Sequence, residues 1–87
     1  MVVYKYHLTT ASETELQMPV GAQVLRVDVQ HESICLWALV DPDAQNERRV
    51  FEVFGTGHEM PNQNRIFINT FLVRGGSYVF HAFERMQ

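Results

Sequence analysis

The sequence predicts an all-β protein, folded as a small antiparallel sandwich or a partly open barrel of six to seven short strands. Three observations support this fold class. Apolar and polar residues alternate with a period of two, turn-forming residues separate the alternating segments, and no segment has the period of a full helix. The 87 residues predict a single β domain, residues 1–87, because a chain of this length can bury only one thin core.

Four strands are predicted in the first half of the chain. Residues 2–8 alternate and form the first strand, and a small polar loop at residues 9–14 follows it. Residues 15–18 form a short strand that ends at a Pro-Val-Gly turn. Residues 23–31 alternate between apolar and polar side chains, as in a half-buried strand. Residues 34–40 are apolar on both faces, which predicts a central strand.

Three further strands are predicted in the second half. Residues 48–55 place large apolar side chains on both faces of an extended segment. Residues 65–74 and 77–85 both alternate, and they flank the dipeptide Gly75-Gly76. Two glycines between alternating segments predict a hairpin with a two-residue turn.

Charge and composition exclude several classes of protein. The chain carries seven basic and ten acidic residues, a net charge of -3, and no run of Lys or Arg, which argues against general nucleic-acid binding. It has no apolar run near the ~20 residues of a membrane span. Its one cysteine, Cys35, fits a reducing compartment. We therefore expect a cytoplasmic protein without a membrane partner.

The end of the strand at residues 48–55 is the predicted ligand-binding loop. There the apolar pattern changes abruptly to Gly55, Thr56, Gly57 and His58. Glycine permits positive φ or close approach, and neighbouring N–H groups can form an anion-binding concavity to which a hydroxyl and an imidazole add donors. The alternative is a strand that ends in a glycine bulge, with polar side chains that satisfy the loop backbone.

Three arginines and two aromatic residues complete the predicted ligand-binding set. Arg26, Arg65 and Arg74 would gather around an anion, because a guanidinium suits phosphate and carboxylate geometry. Trp37 or Tyr78 would offer a stacking face. Ordinary solvated charges account for the arginines equally well, and core packing accounts for Trp37.

The sequence predicts no catalytic residue, no cofactor and no metal site. Its histidines are widely separated and lack the close-spaced pair that begins most zinc sites; they are His7, His31, His58 and His81. No base is adjacent to Cys35 in the sequence. Glu52 and His58 offer an acid/base pair in principle, but their spacing does not require one.

Short motifs spread over nearly the whole chain carry a resemblance to a known group. They are Tyr4-Lys5-Tyr6, Met18-Pro19-Val20-Gly21-Ala22, Leu36-Trp37-Ala38-Leu39-Val40-Asp41, Phe51-Glu52-Val53-Phe54-Gly55-Thr56-Gly57-His58, Pro61, and Gly75-Gly76 before Val79-Phe80-His81. In this combination the chain resembles a family of small tailed-bacteriophage proteins that share a Phe-Gly-Thr-Gly-His motif. The resemblance implies a phage origin and action in the cytoplasm of an infected bacterium.

We therefore expect a small, non-enzymatic, homo-oligomeric phage protein that counteracts a host process such as antiviral defence. It would sequester a small anionic signalling molecule, such as a nucleotide, or it would block a host defence protein through a strand edge or an aromatic patch. A minor virion or assembly component is one alternative. A small hydrolase that uses His58 is another.

Overall fold

The structure, a computed structural model, describes residues 1–9 and 13–86 and confirms the predicted fold class. These residues form antiparallel strands and no helix. The strands are β1 (Val2–His7), β2 (Glu13–Pro19), β3 (Gln23–Gln30), β4 (Ser33–Val40), β5 (Asn46–Gly55), β6 (Arg65–Val73) and β7 (Tyr78–Arg85). The predicted loop at residues 9–14 is described only in part, since residues 10–12 lie outside the described residues.

The strands form two sheets, so the described chain is a sandwich and not a closed barrel. Sheet A has the order β1-β4-β3, and sheet B has the order β2-β5-β7-β6. The hairpins β3–β4 and β6–β7 join strands that are neighbours in sequence. The pairings β1–β4, β2–β5 and β5–β7 join strands that are distant in sequence. Central strand β4 is buried on both faces for much of its length, as its apolar sequence predicts.

The core lies between the two sheets. Val27 and Leu36 of sheet A meet Phe51 and Phe71 of sheet B, and all four side chains are almost fully buried. At one end of the sandwich Arg49 donates two hydrogen bonds to Glu84, at 2.7 and 2.8 Å, and a third to the carbonyl of Ala22 at 2.6 Å. This ion pair closes the interior at that end with charged groups that satisfy each other.

One side of the sandwich is held together by an asparagine. The Asn69 amide accepts a hydrogen bond from the N–H of Val27 at 2.9 Å and donates one to the carbonyl of Val27 at 2.8 Å. The side chain of Asn69 in β6 thus pairs with the β3 backbone as a neighbouring strand would. Register shifts beside Leu25 in β3 and beside Ile68 in β6 mark a bulge in each of these two strands.

The predicted strand boundaries differ from the observed ones mainly where pairing extends a strand. β2 covers Glu13–Pro19 instead of residues 15–18, because it pairs along its whole length with β5. The predicted β6–β7 hairpin is present and both glycines of its turn have positive φ, but the prediction of a two-residue turn is wrong: the turn spans four residues, 74–77, and the N–H of Ser77 donates to the carbonyl of Arg74. The paired strands nevertheless end one residue earlier on each side, because Arg74 also has positive φ, at 53°.

Candidate functional site

A cleft of about 720 Å³ opens at the end of the sandwich opposite the Arg49–Glu84 pair. Its floor consists of apolar side chains that lie between the sheets and are only partly buried: Val29, Ile34, Val53, Val73 and Phe80. Its rim carries polar and charged groups: Glu32, His58, Glu59, Arg74 and Tyr78. An apolar interior with a few polar groups at its mouth is the usual composition of a small-molecule site, and the volume lies within the usual range of about 300–1,000 Å³.

Three loops at this end of the sandwich build the rim. They are the β3–β4 turn, the β5–β6 loop and the β6–β7 turn. Three non-glycine residues of the described chain have positive φ, namely His31 at 50°, Glu32 at 65° and Arg74 at 53°. Glu32 and Arg74 both line the cleft. Positive φ at both His31 and Glu32 is typical of the two-residue turn that joins β3 to β4, and Arg74 begins the β6–β7 turn, so these turns place the Glu32 and Arg74 side chains at the rim.

Arg74 and Glu32 are available to a ligand. Neither forms an ion pair within residues 1–9 and 13–86, whereas other arginines of the described chain are paired with carboxylates. Tyr78 is 53% exposed, and its ring lies 6.5 Å from that of Phe80 at an angle of 31°. The cleft therefore presents a free guanidinium, a free carboxylate and an aromatic face in one place.

The predicted loop contributes to the cleft through Gly55 and His58. A Cβ on Gly55 would lie 2.8 Å from Cε1 of His58, so the absence of a side chain lets the imidazole rest on the strand backbone. The N–H of His58 also donates to the carbonyl of Gly55 at 3.1 Å. Gly57 has a φ of 87°. Both roles predicted for glycine are present, but the group that approaches Gly55 belongs to its own loop.

Thr56 is engaged in structural hydrogen bonds. Its hydroxyl lies 2.8 Å from Nε2 of His81 and 3.4 Å from the carbonyl of Val79, and its N–H donates to that same carbonyl. The other ring nitrogen of His81 lies 2.9 Å from the hydroxyl of Thr70. Sequence reasoning missed this Thr56–His81–Thr70 arrangement, because its members are separated by 11 and 25 residues.

Arg26 and Trp37 lie together on the outer face of sheet A, away from the cleft. Arg26 is opposite Trp37 in the β3–β4 register and forms an ion pair with Asp28 at 3.0 Å. Trp37 is half-buried there, beside Lys5 of the paired strand β1. The structure does not bring these two residues to the predicted loop.

Arg65 lies on the outer face of sheet B, where it is held by Glu52. It donates to Glu52 at 2.8 Å and to the carbonyl of Pro61 at 2.8 Å, and it lies over the ring of Phe54. Arg85 donates to the second oxygen of Glu52 at 3.0 Å. Burial opposes ionisation of Glu52, but the hydrogen bonds from both arginines outweigh it and lower the pKa of this carboxyl. Glu52 is therefore a fixed structural anion, engaged by these arginines.

Two other predictions concern chemistry. The structure brings Nδ1 of His7 to 3.8 Å from Sγ of Cys35, a neighbour that the sequence spacing did not reveal. The thiol is fully buried, so this contact does not offer it to a substrate. Within residues 1–9 and 13–86, no three His, Cys, Asp or Glu side chains are grouped as a metal site requires.

Comparison with known proteins identifies a family but no activity. A family model described as a domain of unknown function (DUF7352) matches residues 1–87. No curated protein and no solved structure matches the chain. The described part of the chain has no helix long and apolar enough to cross a membrane.

Proposed function

The chain belongs to the DUF7352 family, and we propose that this member is a non-enzymatic binding protein that retains a small molecule in the cleft at the end of its sandwich. The observation that carries the proposal is the cleft itself. It combines an apolar floor, the stacking face of Tyr78 and the unpaired guanidinium of Arg74.

The charges at the rim define the class of ligand. Among the residues that line the cleft, all within the described chain, Arg74 is the one arginine or lysine, while Glu32 and Glu59 are acidic. Two carboxylates beside one guanidinium disfavour a polyphosphate, because each added negative charge would face more repulsion than attraction. We propose a ligand with an aromatic ring and a single anionic group, such as a nucleoside monophosphate or a cyclic mononucleotide.

The biological setting is proposed from the resemblance to small tailed-phage proteins. Retaining a nucleotide signal in the cytoplasm of an infected bacterium would counteract an antiviral defence that depends on that signal. Such a protein needs to bind its ligand and not to transform it.

The test is to incubate the purified protein with bacterial extract or with a panel of nucleosides, nucleoside monophosphates and triphosphates, and then to release bound molecules by heat. Mass spectrometry of the released fraction distinguishes the outcomes. Release of an intact monophosphate supports the proposal. Release of a chemically altered molecule would replace sequestration with catalysis, and binding of triphosphates in preference to monophosphates would refute the proposed ligand class.

Two pairs of variants locate the binding site. Arg74→Ala should weaken binding by at least tenfold, because it removes the one cationic group at the rim, whereas Arg26→Ala on the outer face of sheet A should leave binding unchanged. Gly55→Ala should displace the imidazole of His58 and alter binding, whereas Asn62→Ala, at an exposed position of the same loop that does not line the cleft, should leave binding unchanged. Isothermal titration calorimetry measures each affinity. Equal losses of affinity for Arg74→Ala and Arg26→Ala would show that the ligand does not bind beside Arg74.

Blocking a host protein is the second candidate function, and a different observation favours it. Edge strand β6 exposes three large apolar side chains, Ile66 at 52%, Phe67 at 56% and Leu72 at 58%. Exposed apolar residues of this kind are typical of protein-binding surfaces. A protein that releases no small molecule but captures one host protein, and loses it on Phe67→Ser, would have this function.

A further inference from the structure

Strand β1 is an unprotected edge of sheet A. It pairs with β4 on one side without a register shift, and no other described strand pairs with its opposite side. The N–H of Leu8 donates to the carbonyl of Ile34, so even-numbered residues of β1 face β4. Because antiparallel pairing alternates, the N–H and C=O groups of Val3, Lys5 and His7 point away from the sheet.

The other three edge strands carry features that prevent pairing. β3 and β6 each contain a bulge, and the side chain of Asn69 joins them to each other. β2 carries the exposed acidic residues Glu13 and Glu15 and ends at Pro19. Bulges, charges and proline are the usual protection of a sheet edge. β1 has no bulge and no proline.

β1 also exposes apolar side chains on both faces. Val2 is 42% exposed, Val3 54% and Tyr4 41%. Val2 and Tyr4 lie on the same face as their buried partners Val40 and Ala38, yet they remain exposed because β1 is the last strand of its sheet. The one cationic side chain of β1, Lys5, donates to Gln30 of β3 at 2.9 Å, so its ammonium group is turned across the sheet and away from the free edge.

We propose that this edge binds a second copy of the same chain, by antiparallel pairing of β1 with β1, to form a continuous six-stranded sheet. A two-fold axis at Tyr4 places Val3 of each copy opposite Lys5 of the other, and these residues have outward-facing backbone groups. Tyr4 then meets Tyr4 across the axis, and Val2 meets Tyr6. The free edge of β1 is then paired, and its exposed apolar side chains gain cross-strand neighbours.

Charge selects this register over its neighbours. An axis at Lys5 would place the two Lys5 residues directly opposite each other, and a cross-strand pair of like charges is unfavourable. An axis at Val3 would leave Tyr6 and His7 without partners. A two-fold axis at Tyr4 avoids both problems. A closed two-fold pairing also consumes both free edges and therefore stops at a dimer.

Cysteine cross-linking tests the axis directly. Across a non-hydrogen-bonded antiparallel pair the Cα atoms lie about 4.5 Å apart, within the range for a disulfide. Tyr4→Cys should therefore form a covalent dimer on mild oxidation. Val3→Cys is the matched control, because the two Val3 residues would be offset by two positions and lie about 8 Å apart. The native Cys35 is fully buried in both variants.

Sedimentation velocity tests the assembly without cross-linking. The wild-type chain should sediment at twice its 10.1 kDa mass, and Val3→Pro should sediment as a monomer with an unchanged circular dichroism spectrum. Proline at position 3 removes an N–H that points outward and so leaves the β1–β4 hydrogen bonds intact. Leu25→Lys, which removes a side chain of similar exposure at 48%, should remain dimeric.

Three results would overturn the proposal. These are a monomeric wild-type chain at millimolar concentration, a Val3→Pro chain that remains dimeric, and equal cross-linking of Tyr4→Cys and Val3→Cys. The ligand in the cleft is not involved in any of these measurements, so they succeed or fail independently of the proposed function.

Discussion

Glu52 is a buried carboxylate that engages two neighbouring arginines, Arg65 and Arg85, in ion pairs. Its side chain is 2% exposed and lies on the outer face of sheet B, where two arginines replace the water that a carboxylate needs. Arg85 also pairs with Glu13. Because Arg65 forms an ion pair with this carboxylate, it is a structural residue, although its sequence position is equally consistent with binding an anionic ligand.

We expect Glu52→Gln to lower the free energy of unfolding by about 2–3 kcal/mol at pH 7. The expected loss of stability is at or below the about 3–5 kcal/mol that is usual when a buried ion pair is broken, because Arg85 would still be paired with Glu13. Urea unfolding measures the loss. The control Glu15→Gln breaks an exposed pair with Arg48 and should change stability by less than about 0.5 kcal/mol. Equal effects of the two variants would contradict the structural role of Glu52.

Because the pKa of Glu52 is lowered in the folded chain, the difference in stability between the wild-type chain and Glu52→Gln should depend on pH. Below the ordinary carboxyl pKa of 4.5 the unfolded chain takes up a proton that the folded chain still excludes, so stability falls as the pH falls below 4.5 and towards the folded pKa. The wild-type chain should therefore lose more stability than Glu52→Gln between pH 5 and pH 3. Parallel curves for the two proteins would show that other carboxyl groups account for the acid sensitivity.

At the scale of the elements, Asn69 joins strands of different sheets. Its amide satisfies both the N–H and the C=O of Val27, backbone groups in a strand that would otherwise be a free edge. The bulge beside Ile68 places Ile68 and Asn69 together opposite Ala82, so the amide can point inward without interrupting the outer face of β6.

We expect Asn69→Leu to lower the free energy of unfolding by about 2 kcal/mol, because it leaves two partly buried backbone groups unpaired. The amide of Val27 should exchange with solvent faster than its neighbours in β3. Asn62→Leu, in the exposed part of the β5–β6 loop, is the control and should have little effect on either measurement. Unchanged exchange at Val27 would show that β3 is held by packing alone.

At the scale of the whole molecule, a single core couples the two sheets. Leu36 of sheet A and Phe51 of sheet B belong to one buried cluster, and neither sheet alone would cover its apolar face. We expect one cooperative unfolding transition, in which the fluorescence of Trp37 in sheet A and the far-ultraviolet circular dichroism of both sheets change at the same temperature. Circular dichroism that persists after the fluorescence has changed would show that sheet B is stable alone.

Local pattern was sufficient for much of the fold. Alternation located β1, β3, β6 and β7, apolar residues on both faces located β4 and β5, and Gly75-Gly76 identified the β6–β7 hairpin. These features depend on residues close together in sequence, where the period of a strand and the conformational freedom of glycine act directly. Gly55 and His58 lie where β5 was predicted to end, because the change from large apolar residues to Gly-Thr-Gly-His is itself a local signal for the end of a strand.

The sequence by itself determined that the chain forms short antiparallel strands with a glycine-rich break after β5, because the side-chain period and backbone freedom are local properties. The tertiary structure decided which of its polar residues remain free. Arg65 forms an ion pair with Glu52, Thr56 forms a hydrogen bond with His81, and Arg74 pairs with no described carboxylate. These contacts depend on strand order. Partners distant in sequence are selected by the packing of two sheets, which no local pattern encodes.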